Sequence, residues 1–315
     1  MRSLLRSVVV LLVALTLGPA CGGEETAPPV AATPEPAVGT IEVFVELEAP
    51  SEGLAFGVDG AGNPALYLGN KTGLLRVSAE GVVTRAADIP GPLGMATLAS
   101  GELVVCGRAP GDGGKGEHPG AIWKVSPDGQ ATVVVASTAE APLDLPNMIA
   151  VGPGGELVFS DSRGNRVYKV DAGASTATLL TDAITYPNGV AFSKDGSRVL
   201  VASYDGKKIW ALPRDASGGY GAPEVFLEDV ENVDGITPLA SGGYVLVQTG
   251  EGVVRHGPDL AKTSIAPELA PDIPANGAFG VGAFGDRWLY VSNVFGKRIK
   301  RVYLGEPGAP LPVKP

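Results

Sequence analysis

The chain has 315 residues, with 24 Lys and Arg against 34 Asp and Glu, a net charge of −10. That balance excludes a nucleic-acid binder, which needs a basic face to meet phosphate. The 45 Gly and 27 Pro describe a turn-rich all-β chain, and two His leave a zinc site or a Ser-His-Asp triad poorly supplied.

Arg2 and Arg6 form a basic start, followed by an apolar run from Val8 to Leu17. That run is too short for the ~20 residues needed to cross a bilayer. It ends in Gly18-Pro19-Ala20-Cys21, then Gly22-Gly23, which resembles a bacterial lipoprotein processing site. Residues 1–20 are therefore expected to be a signal peptide, with Cys21 lipidated. Cleavage after Ala20 without lipidation is the alternative, and either route exports the chain. Residues 21–39 are Pro- and Ala-rich and read as a flexible tether. The expected product is a monomer on the bacterial cell envelope, touching membrane only through its anchor. Without Arg2 and Arg6, 22 basic residues face 34 acidic ones, a net −12. Cys106 lies in the apolar run Leu103-Val104-Val105 and reads as a small buried hydrophobe, not a disulfide partner.

From residue 40 to 315 the sequence repeats itself. A lone strand at Thr40–Val45 comes first. Six units then begin at Ser51-Glu52-Gly53, Pro92-Leu93-Gly94, Leu145-Pro146-Asn147, Tyr186-Pro187-Asn188-Gly189, Val233-Asp234-Gly235 and Ala275-Asn276-Gly277. Asn147 to Asn188 is 41 residues and Asn188 to Asp234 is 46. A period of ~40–50 residues with several strands per unit predicts a β-propeller. Met148–Val151, Glu156–Ser160, Arg166–Val170 and Ala177–Leu180 give four strands of one blade, with Gly152-Pro153-Gly154-Gly155 as the first turn. The same order fits residues 54–88, 95–137, 190–229, 236–269 and 279–311. The expected fold is a six-bladed ring, closed by the N-terminal strand pairing with the last blade.

In such a ring the start of every blade faces one mouth of the axis. That brings Glu52, Asn147, Asn188, Asp234 and Asn276 together. The enlarged loop from Gly107 to Gly120, carrying Arg108, Asp112, Lys115, Glu117 and His118, shares that face. Carboxylates and amide carbonyls are hard oxygen ligands suited to Ca²⁺, or to Mg²⁺ or Mn²⁺, ahead of Zn²⁺. Asn-Gly and Asp-Gly are also common turn pairs, and that alternative stays open.

These motifs, in this order, resemble the senescence marker protein/gluconolactonase-like family, which includes regucalcin. The resemblance spans roughly residues 45–305. It implies a six-bladed propeller with one axial divalent cation, held by Glu52, Asn188 and Asp234. The family's Arg-x-Asn-Asp substrate motif stands here as Leu145-Pro146-Asn147-Met148, so its Arg and Asp are replaced. Asn147, Met148, Tyr204 and His118 are the candidate substrate contacts; Tyr186 and Phe295 could also line a less polar mouth. Asp144 could supply a substitute carboxylate.

The implied function is metal-dependent hydrolysis of a small-molecule lactone or ester, the metal polarising the carbonyl and activating water, with Asp234 or Glu52 orienting that water or taking its proton. A non-catalytic propeller that binds a ligand or protein partner is the alternative, favoured by the altered motif. Cys21→Ser is expected to release the protein from the detergent phase or block its processing; a variant processed normally and still membrane-bound would contradict the anchor.

Overall fold

The computed structural model describes residues 34–111 and 119–310. The signal peptide, Cys21, most of the tether and His118 lie outside the described residues. Residues 36–310 belong to one compact unit.

β1 (Ile41–Glu46) precedes a first run of β2 (Ser51–Val58), β3 (Pro64–Asn70), β4 (Gly73–Val77) and β5 (Val83–Ala87). A second run is β6 (Met95–Thr97), β7 (Leu103–Arg108), β8 (Gly120–Val125) and β9 (Ala131–Val135). Next come β10 (Pro146–Val151), β11 (Leu157–Asp161), β12 (Arg166–Val170) and β13 (Thr178–Thr181). Then follow β14 (Pro187–Phe192), β15 (Arg198–Ser203), β16 (Lys208–Pro213) and β17 (Glu224–Leu227). β18 (Val233–Pro238), β19 (Tyr244–Gln248), β20 (Gly252–His256) and β21 (Lys262–Ala266) lead to β22 (Pro274–Phe279), β23 (Trp288–Asn293) and β24 (Arg298–Tyr303). Two short 3₁₀ turns, Pro267–Asp272 and Gly282–Phe284, flank β22. Among the described residues no helix is long and apolar enough to cross a membrane.

Among the described residues the strands form five sheets. β6–β9, β10–β13, β14–β17 and β18–β21 are four-stranded antiparallel meanders. The fifth sheet has eight strands. β1 pairs antiparallel with β24, beside β23 and β22, and this run joins β2–β5 through one pairing, Ser51 with Asn293. Six separate sheets were expected from the repeat. The fusion arises because Ser51, at the start of β2, pairs with Asn70 of its own run and with Asn293 of the last. The first strands β2, β6, β10, β14, β18 and β22 lie against one another in that order, and β22 also lies against β2.

Burial follows strand order within each run. β11 and β19 are buried throughout, and β3, β15 and β23 are buried in all but their first residue, because neighbouring runs cover both faces. The fourth strands β5, β13 and β21 are exposed over at least half their length. Cys106 sits in this core, where burial pushes its thiol well above the usual range. The ends of the chain meet around an aromatic cluster. The Phe44 and Phe56 rings pack edge-on against Tyr290 at 4.9 and 5.1 Å, and Phe284 packs against both phenylalanines. Such pairs contribute about 0.5–1.5 kcal/mol each beyond area burial. Glu42 and Glu46 of β1 pair with Arg301 and Arg298 of β24.

Deleting residues 40–47 removes Phe44 and bares the edge of β24. The expected outcome is aggregation, or loss of several kcal/mol in chemical denaturation, relative to a truncation that ends at residue 33. Equal stability of the two truncations would show that β1 contributes nothing.

Candidate metal and catalytic site

Strand register sets which residues share a level on the axis. Ser51 pairs with Asn70, Pro146 with Asp161, Pro187 with Ser203, Val233 with Gln248 and Pro274 with Asn293. Glu52, Asn147, Asn188, Asp234 and Ala275 each follow the first partner of these pairs. Leu93 holds that level in the second run, given that Met95 pairs with Val105 as Ile149 does with Phe159. Four oxygen-bearing side chains therefore share one level with two apolar ones. Gly53, Gly94, Met148, Gly189, Gly235 and Asn276 follow one residue deeper. Asn276 is thus not a mouth residue, as the repeat reading had placed it; Ala275 takes that level.

The turn alternative for Asn188-Gly189 and Asp234-Gly235 does not hold. Both pairs lie inside strands β14 and β18 and are buried. Neither glycine has a left-handed φ. Glycine is needed here for space. A Cβ on Gly53 would stand 1.8 Å from the Leu93 carbonyl oxygen, on Gly94 2.4 Å from that of Asn147, and on Gly189 2.6 Å from that of Asp234. Serines latch the neighbouring strands. Ser160 accepts from the Met148 N–H at 3.0 Å and donates to the Asn188 carbonyl at 2.7 Å. Ser292 does the same between the Asn276 N–H and the Glu52 carbonyl.

Asn147, Asn188 and Asp234 are buried, each 5% exposed or less, and Glu52 is half-buried. Burial raises the Glu52 carboxyl above its usual range. Asp234 is pushed up further, first by burial and then by the nearby Glu52 charge, against a hydrogen bond from Asn188 that favours the carboxylate. The two carboxyls therefore interact. Asn147 Oδ1 and Asn188 Oδ1 are buried with no hydrogen-bond partner among the described residues. An unpaired buried acceptor costs about 1–3 kcal/mol, so two beside a repelling carboxylate pair form an uncompensated cluster of oxygen donors. This donor set fits a hard divalent cation. Among the described residues no three His, Cys, Asp or Glu side chains converge, so nothing there resembles a nitrogen- or sulfur-rich zinc site.

Below this level the axis is filled. The Met148 Sδ lies 3.3 Å from Asn276 Nδ2, joining β10 to β22, while Asn276 Oδ1 accepts from the Gly277 N–H at 2.8 Å. Beyond that pair, on the opposite face, opens a largely apolar cavity of about 940 Å³, lined by Met148, Asn276 and residues such as Phe56, Phe192 and Phe279. Glu52, Asn188 and Asp234 do not line it.

The edge beside Asn147 is already hydrogen-bonded. The buried Asp161 carboxylate accepts from the Asp144 and Leu145 N–H groups at 2.9 and 2.7 Å. Asp144, offered by sequence as a substitute carboxylate, is half exposed and pairs with Arg163 at 3.5 Å. Arg108 Nη1 donates to the Asp144 carbonyl at 3.1 Å. Arg163 is a cation near the mouth that the motif comparison did not reveal, since it comes from the loop after β11. His256 ends β20 and bonds the Leu260 carbonyl, off the axis level.

Tyr204 and Tyr186 stand together on this face, their ring centres 6.1 Å apart. The Tyr204 hydroxyl bonds Thr249 Oγ1 at 3.0 Å. Tyr186 lies within electrostatic reach of Glu52 and Asp234. Phe295, 71% exposed, lies in the loop after β23 on the same side.

Residues 70–294 match the SMP-30/Gluconolactonase/LRE-like region. A strictosidine synthase-like protein 12 of Arabidopsis thaliana is 30% identical over 129 residues, 39% of this chain and 37% of that protein, so the chain matches little more than a third of that relative's length. A gluconolactonase structure from Xanthomonas campestris superposes with a TM-score of 0.67 at 22% identity, covering 84% of this chain and 89% of that one. The calcium-binding protein regucalcin from Agrobacterium tumefaciens gives 0.62 at 20%, covering 85% and 96%. The all-β, propeller-like fold is common to them.

Because both carboxyls are raised, the folded, metal-free protein binds their protons more tightly than the unfolded chain. The contribution of these two groups to stability is fully present below the ordinary carboxylate range and is lost as pH rises through the raised values. Asp234→Asn removes the repulsion, so it is expected to raise the melting temperature of chelator-treated protein near pH 7 and flatten that decline. An unaltered pH slope would mean that the pair does not interact.

Proposed function

We propose, from the premise that this chain belongs to the SMP-30/gluconolactonase/LRE-like family, that it is a divalent-metal-dependent hydrolase of a lactone or ester. The observation that carries the reading is the pair of unpaired, buried oxygens on Asn147 and Asn188 beside the mutually repelling Glu52 and Asp234. Glu52, Asn188 and Asp234 would hold the cation, with Asn147 on the same level. Oxygen donors of this hardness favour Ca²⁺, with Mg²⁺ and Mn²⁺ next. A bound divalent cation would supply Lewis-acid polarisation of the carbonyl and a lowered pKa for water.

The chain's own residues divide the remaining work. Asp234, buried, is the orienting carboxylate. Glu52, half-buried, would take the water proton and return it to solvent. The Met148–Asn276 contact closes the axis beneath them and limits water entry from the far cavity. The regucalcin and gluconolactonase likenesses support the fold, which we read as six blades, the eight-stranded sheet counting as the first and last. Export with a lipid anchor at Cys21 belongs to the same reading.

A second reading has its own observation. Met148 stands where the family motif carries a carboxylate, and its thioether is bound to Asn276. On that reading the cation is structural and the mouth binds a ligand without turnover.

At a hundredfold excess over its dissociation constant, Ca²⁺ should stabilise the wild type by about 2.7 kcal/mol, roughly 5 °C or more. Glu52→Gln, Asn188→Ala and Asp234→Asn should lose most of that shift. Lactone or ester hydrolysis that chelator abolishes, and that Asp234→Asn lowers by at least about 100-fold, is the expected outcome. Metal stabilisation without turnover on a broad panel would favour the binding module. No response to calcium, magnesium or manganese would remove the metal site.

A further inference from the structure

Tyr186 has φ +42°, although it is bulky and immediately precedes Pro187. The residue before proline normally adopts extended backbone, and a left-handed aromatic residue is strained. Three hydrogen bonds hold the strained segment. The Tyr186 N–H donates to Asn165 Oδ1 at 2.8 Å, its carbonyl accepts from the Tyr204 N–H at 3.1 Å, and Ser162 Oγ donates to the Pro187 carbonyl at 2.6 Å. Asn165, itself at φ +53°, lies in the loop after β11, and Tyr204 lies in the loop after β15. Tyr204 is fixed in turn, by Thr249 at its hydroxyl and by Asn232 Nδ2 at its carbonyl, 3.3 Å away. Strain maintained by surrounding contacts is concentrated at ligand sites.

The arrangement holds the Tyr186 side chain beside the candidate site, within electrostatic reach of Glu52 and Asp234. Tyr186 is two residues before Asn188, is partly exposed, and stacks at a tilt of 56° against Tyr204. Its hydroxyl has no hydrogen-bond partner among the described residues. Across the mouth Leu145 is apolar, the neighbouring Asp161 carboxylate is committed to backbone N–H groups, and the Asp144 carboxylate pairs with Arg163. A polyhydroxylated ligand would leave several hydroxyls unpaired against such walls, at a cost for each. A flat aromatic ligand would not.

We propose that Tyr186, braced by Tyr204, is the specificity-determining residue of this site, selecting a substrate with an aromatic ring fused to or beside its ester or lactone group over a sugar lactone. The Tyr186 face packs on that ring and its hydroxyl donates to an oxygen of the ligand. The inference rests on the hydrolase site described above for its reaction, and on the tyrosine geometry for its selectivity.

The test uses calcium-loaded protein and two readouts. Titration calorimetry compares 3-(2-hydroxyphenyl)propanoate with gluconate, the ring-opened forms of an aromatic and a sugar lactone. Turnover compares 3,4-dihydrocoumarin with δ-valerolactone. Tyr186→Gly is the informative truncation, because glycine adopts this φ without strain; Tyr204→Leu is the second variant should that one fail to fold. The calcium-induced melting shift reports that the metal site is intact in each. The aromatic acid should bind at least about 10-fold tighter than gluconate. Tyr186→Gly should abolish that preference and lower kcat/KM for dihydrocoumarin about 10-fold or more, by a clearly larger factor than for δ-valerolactone. Aromatic binding that depends on Tyr186, with no turnover of either lactone, would sink the hydrolase reading and support this subsite. Turnover or binding indifferent to Tyr186→Gly and Tyr204→Leu, or gluconate bound as tightly as the aromatic acid, would overturn the proposal.

Discussion

Four strands can approach the axis as closely as they do only because a side chain is missing at one level. Gly53, Gly94, Gly189 and Gly235 each put a bare Cα where a neighbouring strand arrives; the missing Cβ of the first three would meet a backbone carbonyl, and that of Gly235 would meet Asn276. Backbone cannot move aside as a flexible side chain can, so even alanine would overpack these positions, at about 1–3 kcal/mol or more. The narrow axis is what buries the level above. Were the strands farther apart, Glu52 and Asp234 would be hydrated and unperturbed, and the Asn147 and Asn188 oxygens would find water.

The same constraint accounts for Met148 and Asn276. They occupy the glycine level in strands β10 and β22, and together fill the space that the glycines leave. A thioether is well suited to that place, since Met adapts to irregular gaps and accepts a weak hydrogen bond. The result is an axis with two unlike ends: a small, acidic, oxygen-lined end and a wide apolar one, divided by a single contact. Chemistry that needs charge belongs at the first.

Much of this was legible in the sequence. The repeat was readable because each innermost strand is announced by Gly or Asn-Gly and followed by a Gly turn. Glu52, Asn188 and Asp234 shared a phase that the register preserves. Asn276 misled for a physical reason. Asn-Gly in β22 is the same dipeptide as in β14, but the strand begins at Pro274 and runs one residue longer before it, so the pair is shifted inward. The Asn-Gly pairs also suggested turns, because glycine's conformational freedom and its small size leave the same mark in a sequence. Tyr186 was visible only as a generic aromatic at the mouth. Its left-handed backbone depends on Asn165, 21 residues away, and on the Tyr204 N–H, contacts that no local pattern encodes. The eight-stranded sheet was likewise hidden, since it turns on the one pairing of Ser51 with Asn293.

The Ser292–Glu52 latch spans 240 positions of sequence, and the Arg301–Glu42 pair beside it spans 259. Glu52 is thus among the first residues of the domain to be synthesised, and its latch must wait for one of the last strands. Until β23 and β24 have been made, its carbonyl lacks the Ser292 hydroxyl and its carboxylate need not be held near Asp234. A partly synthesised chain therefore carries the oxygen donors without the geometry that makes them a site. Contacts this distant make for slow assembly.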